Sequence, residues 1–375
     1  MKRRYDLDWV RSIIVLSIIF YHSLIIFMTR ETAIFYVRSG ANSLACEYIE
    51  AFMTRFHMTI LFFIAGITAR YSVTSRGIGD FARNRTFKLL IPAILVIVFL
   101  NPFDSFLYGI QKGTTLSYWE NYKLFFTKIS EDLTGTTPGF SPMHVWFLIF
   151  LFVFSMILIP FFKWGSSEKA QKVFDALGNF FYKPYRLILV MLPYPFLFLV
   201  GILDEMNPIA YFYLFVLGYL FTTSDKYQEA TDRDKWGYII ASILLMTFFL
   251  VGLFKVDYSK HSSWLFWMWH YSAKLLRILT VFAIVGGAHS WIPKKNSKVL
   301  SYINKCNFFV YLIHMALLGG VGYIVIHIWN MKNLIGFIVI NVISYSICLG
   351  LYEVYSNLRS LVKSNTHANK ETPHL

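Results

Sequence analysis

Arg11 and His22 are the two residues near the N-terminus whose types and spacing could do chemistry. They are eleven positions apart in one apolar segment that is long enough to span a bilayer, Trp9–Phe27. An α-helix turns about 100° per residue, so a step of eleven returns to within ~20° of the same face, ~16 Å further along the axis. Arg11 would then lie near one membrane surface and His22 near mid-depth. This spacing predicts a charged ligand bound at the surface and chemistry performed further in.

Other titratable side chains also fall in or at the ends of apolar segments, where burial in lipid is costly and a polar interior is the usual solution. Those assigned to substrate binding are Arg55, His57, His144, Lys274, Arg277 and His314. The alternatives are structural pairing with Glu47 or Glu50 for Arg55 and His57, and interfacial anchoring for His144. They are hydrogen bonding in the core for His314 and snorkelling for Lys274 and Arg277. No close pattern of His, Cys and Asp predicts a metal site, and the three cysteines lie in different segments.

A basic stretch between the second and third apolar segments could hold phosphate groups. Its candidate ligand-binding residues are Arg70, Arg83, Arg85 and Lys88. The forked donors of arginine match phosphate oxygens, so a nucleotide-bearing acyl carrier could bind here beside Arg11. The alternative is that these residues only set topology, because cytoplasmic loops are generally basic.

Composition indicates a membrane protein. Hydrophobic residues make up 56% of the chain and charged residues 15%, with a mean hydropathy of +0.52. The net charge of +14 lies in short loops and not in a solvated domain, which argues against nucleic-acid binding. The chain has no phosphate-binding Walker loop, dinucleotide-binding glycine motif or serine nucleophile elbow, so the usual signals of those chemistries are missing.

The apolar pattern predicts an all-α integral membrane protein with about ten transmembrane helices. Lys and Arg predominate by about three to one in the alternate loops that place both termini in the cytoplasm. Residues 1–357 are predicted to form one transmembrane domain, followed by a polar, disordered cytoplasmic tail at 358–375. The predicted spans are 10–28, 51–70, 89–108, 144–162, 187–203, 208–223, 236–254, 268–291, 307–328 and 334–354.

Several short motifs resemble the acyltransferase 3 family of membrane-bound acyltransferases, and more closely its glucan-succinyltransferase-like branch. They occur in the family's order over nearly the whole chain: Leu7–Arg11 with His22, Leu61–Gly66, Arg85–Pro92, His144–Leu148 and Val310–His314. One departure is Lys88, where the family often has Arg. Lysine keeps the charge but loses the fork.

The resemblance implies transfer of an acetyl- or succinyl-type group from cytoplasmic acyl-coenzyme A to a hydroxyl of an extracytoplasmic or lipid-linked glycan. His22 matches the family's functional His and Arg11 its partner Arg. Acyl-coenzyme A would be a co-substrate, with no permanently bound cofactor. The expected partners are this donor, a glycan or other hydroxyl acceptor and the lipid bilayer, in a multi-pass protein of the inner or plasma membrane.

Two other functions stay open at this point. A transporter or flippase of a saccharide or lipid-linked precursor would also need a polar chamber and a basic inner loop, without acyl transfer. A membrane sensor or scaffold would need neither a buried histidine nor a buried arginine. The residues themselves do not exclude either function, whereas the resemblance favours the acyltransferase.

Overall fold

A computed structural model describes residues 3–29, 37–129, 139–253, 255–256 and 263–368. Within these ranges the chain is helical and has no β-strand. The α-helices are α1 (Tyr5–Ile26), α2 (Leu44–Thr54), α3 (His57–Arg76), α4 (Ile78–Arg85), α5 (Ile91–Phe99), α6 (Asn101–Gln111), α7 (Tyr118–Thr127), α8 (Trp146–Ile157), α9 (Ile159–Trp164), α10 (Glu168–Phe181), α11 (Ile188–Met191), α12 (Pro208–Phe221), α13 (Lys226–Gly252), α14 (Trp264–Trp291), α15 (Lys298–Tyr323) and α16 (Leu334–Ala368). Short 3₁₀ and π segments are Thr86–Leu90, Met143–Val145, Tyr194–Val200, Asp204–Met206 and Ile324–Ile328.

In the described part of the chain, seven helical stretches are long and apolar enough to cross a bilayer. Three shorter apolar segments coincide with the remaining predicted spans: Met143–Ile157, Ile188–Val200 and Pro208–Phe221. The all-helical, multi-pass class is therefore confirmed. Ten crossings and two cytoplasmic termini remain predictions from the sequence. The seven long stretches are Tyr5–Ile26, Leu44–Arg76, Ile78–Gln111, Lys226–Gly252, Trp264–Trp291, Lys298–Ile328 and Leu334–Val362.

Helix α1, which carries both Arg11 and His22, is held by neighbours on several sides. It packs against α2, α3, α14, α15 and α16. The Asn341 side-chain amide of α16 donates a hydrogen bond to Ser23 Oγ at 2.8 Å. The Tyr345 hydroxyl of α16 donates to the Leu16 carbonyl at 2.7 Å. Such interhelical bonds satisfy polar groups where water is scarce, so they fix the position of α1.

Helices α3 and α12 cross at two glycines. A Cβ atom at Gly66 of α3 would overlap the carbonyl oxygen of Phe215. A Cβ atom at Gly218 of α12 would likewise overlap the carbonyl oxygen of Phe63. Small residues let two membrane helices bring their backbones together, and the pair explains why α3 packs closely on α12.

The predicted helix at 187–203 is not continuous in the structure. Helix α11 ends at Met191, and the chain continues as the 3₁₀ segment Tyr194–Val200. Pro193 and Pro195 account for the interruption, because proline removes a backbone donor and clashes with the preceding turn. The irregular backbone continues through Asp204–Met206 to the start of α12. The connection between the apolar segments 187–203 and 208–223 is therefore longer than a tight turn.

Helix α16 extends past residue 357, the predicted end of the transmembrane domain. It continues to Ala368, residues 369–375 lie outside the described residues, and the disordered tail stays a prediction. Adding a residue to an existing helix needs no new nucleation, and Leu358, Arg359 and Leu361 are good helix formers. Polarity alone was therefore a poor guide to the end of this helix.

Candidate active site

Three imidazole rings from distant parts of the sequence meet inside the bundle. His22 lies on α1, His144 in the 3₁₀ turn before α8, and His314 on α15. The ring centroids of His22 and His314 are 5.3 Å apart, and those of His314 and His144 are 4.9 Å apart. His314 is fully buried, whereas His22 and His144 are partly exposed. The cluster is therefore an interior site, in which His22 and His144 keep some exposed surface.

Hydrogen bonds to the backbone of α15 orient two of these rings. His314 Nδ1 lies 2.7 Å from the Tyr311 carbonyl oxygen, and His144 Nε2 lies 3.3 Å from that of Leu312. The Tyr311 hydroxyl donates back to the His144 carbonyl at 2.6 Å. One turn of α15 thus fixes both imidazoles. Tyr311 belongs to a motif noted in the sequence, but its contact with His144 could not be predicted from that motif.

A second set of polar side chains extends from His22 toward α2. The Tyr21 ring lies between two imidazoles, with centroids 5.0 Å from His22 and 5.2 Å from His57. His57 Nε2 is 3.1 Å from Ser17 Oγ. The Tyr21 hydroxyl donates to Glu50 Oε1 at 3.0 Å. His57 is therefore connected to the imidazole cluster through Tyr21.

Arg11 and His22 lie on one continuous helix, which confirms the element predicted to position them. Arg11 donates to Asp8 Oδ1 at 3.1 Å and to Asn304 Oδ1 of α15 at 2.9 Å. Its side chain remains 35% exposed. The guanidinium is held at the end of α1 and still presents surface to a ligand. Asn304, which also accepts a bond from Ser12, was not identified from the sequence.

The four basic residues predicted to bind a coenzyme lie in different environments. Arg70 is buried and donates to the Tyr219 hydroxyl at 2.9 Å and to the Gly165 carbonyl at 3.3 Å. Arg83 and Lys88 are exposed, and Arg85 is half-buried over the Phe81 ring. Arg70 therefore ties α3 to its neighbours, whereas the other three lie along the end of α4 and the π segment that follows it.

A separate group of three cations converges on one carboxylate. Lys274 Nζ is 2.7 Å from Glu205 Oε1, Arg277 contacts Oε2, and Arg55 Nη2 is 3.8 Å from Oε2. Lys274 and Arg277 are almost fully buried, while the Glu205 side chain is 46% exposed. Lys274 and Arg277 are three positions apart on α14, and this spacing alone places them on one face of the helix. Glu205 was missed as a partner, although buried cations in a membrane helix generally call for a carboxylate.

Among the described residues, no three His, Cys, Asp or Glu side chains are arranged to hold a metal ion. The fold and the site together define a multi-pass helical membrane protein with a buried imidazole cluster and flanking cationic groups.

The family follows from comparison with known proteins. The chain belongs to the acyltransferase 3 family, whose model, described as an acyltransferase domain, matches residues 4–353. It is therefore an acyltransferase, which favours enzymatic acyl transfer over the transporter and scaffold alternatives. Curated relatives called glucans biosynthesis protein C, from Salmonella typhi and Salmonella typhimurium strain LT2, are 24% identical over 94% of this chain and 92% of their own length. No solved structure matches the chain.

Proposed function

We propose that this protein transfers an acetyl- or succinyl-type group from cytoplasmic acyl-coenzyme A to a hydroxyl of an extracytoplasmic or lipid-linked glycan, in the inner or plasma membrane. The observation that carries the proposal is the position of the His22 imidazole. His22 is on the same helix as Arg11, and its ring lies beside that of His314. The name of these relatives, glucans biosynthesis protein C, supports a glycan as the acceptor.

His22 would act as the general base. As the acceptor oxygen attacks the thioester carbonyl carbon, a C–O bond forms, the C–S bond breaks, and the hydroxyl proton passes to the imidazole. The coenzyme leaves as a thiolate that then takes up a proton. A neutral imidazole suits this step because it can accept a proton near neutral pH, and such proton transfer is typically worth 10²–10⁴-fold, an order-of-magnitude figure.

The donor would bind at the end of the bundle where Arg11 remains exposed. Arg11, Arg83, Arg85 and Lys88 would contact the coenzyme phosphates, with the arginine forks supplying paired donors. Arg70 is better placed to support this region from inside, because its guanidinium already binds Tyr219 and Gly165. Acyl-coenzyme A is a co-substrate in this scheme and not a resident cofactor.

The substrate groups would lie between the imidazoles and the three cations around Glu205. Arg55, Lys274 and Arg277 provide positive charge suited to an anionic group on the acyl chain or on the glycan. His57 contacts Tyr21, whose ring also contacts His22. His314 borders the proposed base directly, and His144 borders His314. These six side chains are the proposed substrate-binding residues.

The proposal is tested with purified protein in detergent, labelled acetyl- or succinyl-coenzyme A and a soluble glucose oligosaccharide. We expect label to appear on the oligosaccharide with one of the two donors, together with release of free coenzyme thiol. A folded preparation that moves no label from either donor to the oligosaccharide, and releases no thiol, would contradict the proposal. Heat-denatured protein controls for spontaneous thioester hydrolysis.

A further inference from the structure

The hydrogen bonds of His144 and His314 fix which nitrogen of each ring carries the proton. His314 Nδ1 and His144 Nε2 each lie within hydrogen-bond distance of a backbone carbonyl of α15. A carbonyl oxygen only accepts hydrogen bonds, so each of these nitrogens must be the N–H of its ring. A charged imidazole would be costly to bury without an anion, so the neutral form is the appropriate one for His314 and for His144, whose second ring nitrogen is also buried.

The second nitrogen of each neutral ring is then a lone-pair acceptor. These atoms, His314 Nε2 and His144 Nδ1, are buried and have no hydrogen-bond partner within the described ranges. Buried polar atoms are rarely left unpaired in native proteins, and each exception calls for an explanation. Two exceptions on adjacent rings, next to the proposed base His22, point to a ligand that supplies the missing donors.

We propose that His314 Nε2 and His144 Nδ1 form a hydroxyl-binding subsite for the glycan acceptor. The inference rests on the proposed function and specifies how the acceptor is recognised. Neither nitrogen has a hydrogen-bond partner within the described ranges, so each can accept from a ligand group that donates, and neighbouring hydroxyls of a sugar ring are such groups. Carboxylate or phosphate oxygens cannot donate, so anionic substrate groups would bind at Arg55, Lys274 and Arg277 instead.

The subsite would place a sugar hydroxyl beside the catalytic base. The His314 ring is 5.3 Å from that of His22 and 4.9 Å from that of His144. Both acceptors are oriented by consecutive carbonyls of α15, at Tyr311 and Leu312. His144 and His314 are therefore binding residues in this proposal, and neither takes the proton in the transfer step. His22 keeps that role.

Crossed amide substitutions separate ligand binding from structural support. Glutamine places its amide near the Nε2 position of histidine, and asparagine places its amide near Nδ1. His314→Gln can thus keep the acceptor atom, whereas His314→Asn keeps only the donor to Tyr311. For His144 the two roles are exchanged: asparagine keeps the acceptor atom, and glutamine keeps the donor to Leu312.

The proposal predicts a specific order of acceptor KM values. His314→Asn should raise the acceptor KM about tenfold more than His314→Gln, and His144→Gln about tenfold more than His144→Asn. A purely structural role, carried by the N–H groups, predicts the reverse order in both pairs. Melting temperature and acyl-coenzyme A binding of each variant serve as the folding controls. The partly exposed His144 pair still provides the test if the buried His314 variants do not fold.

Two further measurements establish whether the group that donates these hydrogen bonds belongs to the glycan or to the coenzyme. Binding of a radiolabelled glucose oligosaccharide without acyl-coenzyme A should weaken in the same order as the acceptor KM rises. Altered KM for acyl-coenzyme A with unchanged acceptor KM would mean that the coenzyme supplies the hydrogen bonds, and the subsite assignment would be wrong. Loss of kcat in His314→Gln at unchanged acceptor KM would also overturn it, because that result would make His314 a base.

These measurements also distinguish failure of the subsite from failure of the proposed function. Oligosaccharide binding in the predicted order, but without acyl transfer by the wild-type protein, would contradict the proposed reaction and support the subsite. Acyl transfer by the wild-type protein with equal acceptor KM in all four variants would support the reaction and contradict the subsite.

Discussion

Arg11 and Arg70 show that two arginines in one predicted ligand-binding region can have different roles. Arg11 is 35% exposed and is held by Asp8 and Asn304, so it can add a phosphate contact without breaking the bundle. Arg70 is buried, and its bonds to Tyr219 and Gly165 link α3 to α12 and to the end of α9. The residue type alone could not separate these roles, because the role depends on whether the side chain stays accessible to solvent.

Substitution of exposed and buried arginines should therefore affect different properties, donor binding in the first case and thermal stability in the second. We expect Arg11→Ala and Arg85→Ala to weaken acyl-coenzyme A binding by ~1.5–3 kcal/mol each, which is about tenfold or more in Kd. Arg70→Ala should mainly lower the melting temperature, because a buried tyrosine hydroxyl and a carbonyl lose their partner. Titration of acyl-coenzyme A and thermal melting in detergent measure the two effects.

The exposed Arg359→Ala on α16 is the matched control for loss of one positive charge. It should leave both the donor Kd and the melting temperature near their wild-type values. Unchanged donor affinity in Arg11→Ala and Arg85→Ala would mean that these cations set topology only.

At the scale of the helices, the crossing of α3 and α12 depends on the absence of a side chain. Gly66→Ala would place a methyl group against the Phe215 carbonyl, whereas a Cβ at Gly350 of α16 meets no atom within 4 Å. We expect Gly66→Ala to lower the free energy of unfolding by ~1–3 kcal/mol through overpacking. Gly350→Ala should be neutral or stabilise α16 by up to about 1 kcal/mol. Equal melting temperatures for the two variants would show that the helices can separate at no cost.

Spacing within one helix predicted part of the candidate site, and contacts between helices account for the rest. The common face of Lys274 and Arg277 follows from helical periodicity alone, as does the placement of Arg11 and His22 on one helix. The meeting of His22 with His314 depends on how α1 packs against α15, and nothing in either segment specifies that contact. Glu205 lies in an irregular connection, where no periodicity indicates the direction of a side chain.

Long apolar helices were the most predictable elements, because length and composition are sufficient to identify them. Interruptions were less predictable. The prolines around Tyr194 break a segment that is apolar enough for one helix, and α16 continues past the polar boundary at residue 357. In both places local backbone chemistry, and not average hydropathy, determines where the helix ends.

For the whole molecule, the three shorter apolar segments determine whether the termini share one side of the membrane. Seven crossings would place the termini on opposite sides, and ten would place them on the same side. We expect reporters fused at the two termini to be cytoplasmic, because the basic loops favour that orientation. A reporter inserted after Gly113 should be extracytoplasmic and serves as the internal control. Termini on opposite sides would contradict ten crossings.

The measurement that tests the account most directly is single-turnover acyl transfer by His22→Ala. It is compared with His327→Ala, which removes an exposed imidazole in the π segment after α15, next to Tyr323. If His22 is the general base, its loss should slow transfer from acyl-coenzyme A to the oligosaccharide by ~10²–10⁴-fold, with donor binding and melting temperature retained. His327→Ala should transfer at the wild-type rate. A folded His22→Ala protein that also transfers at the wild-type rate would contradict the account.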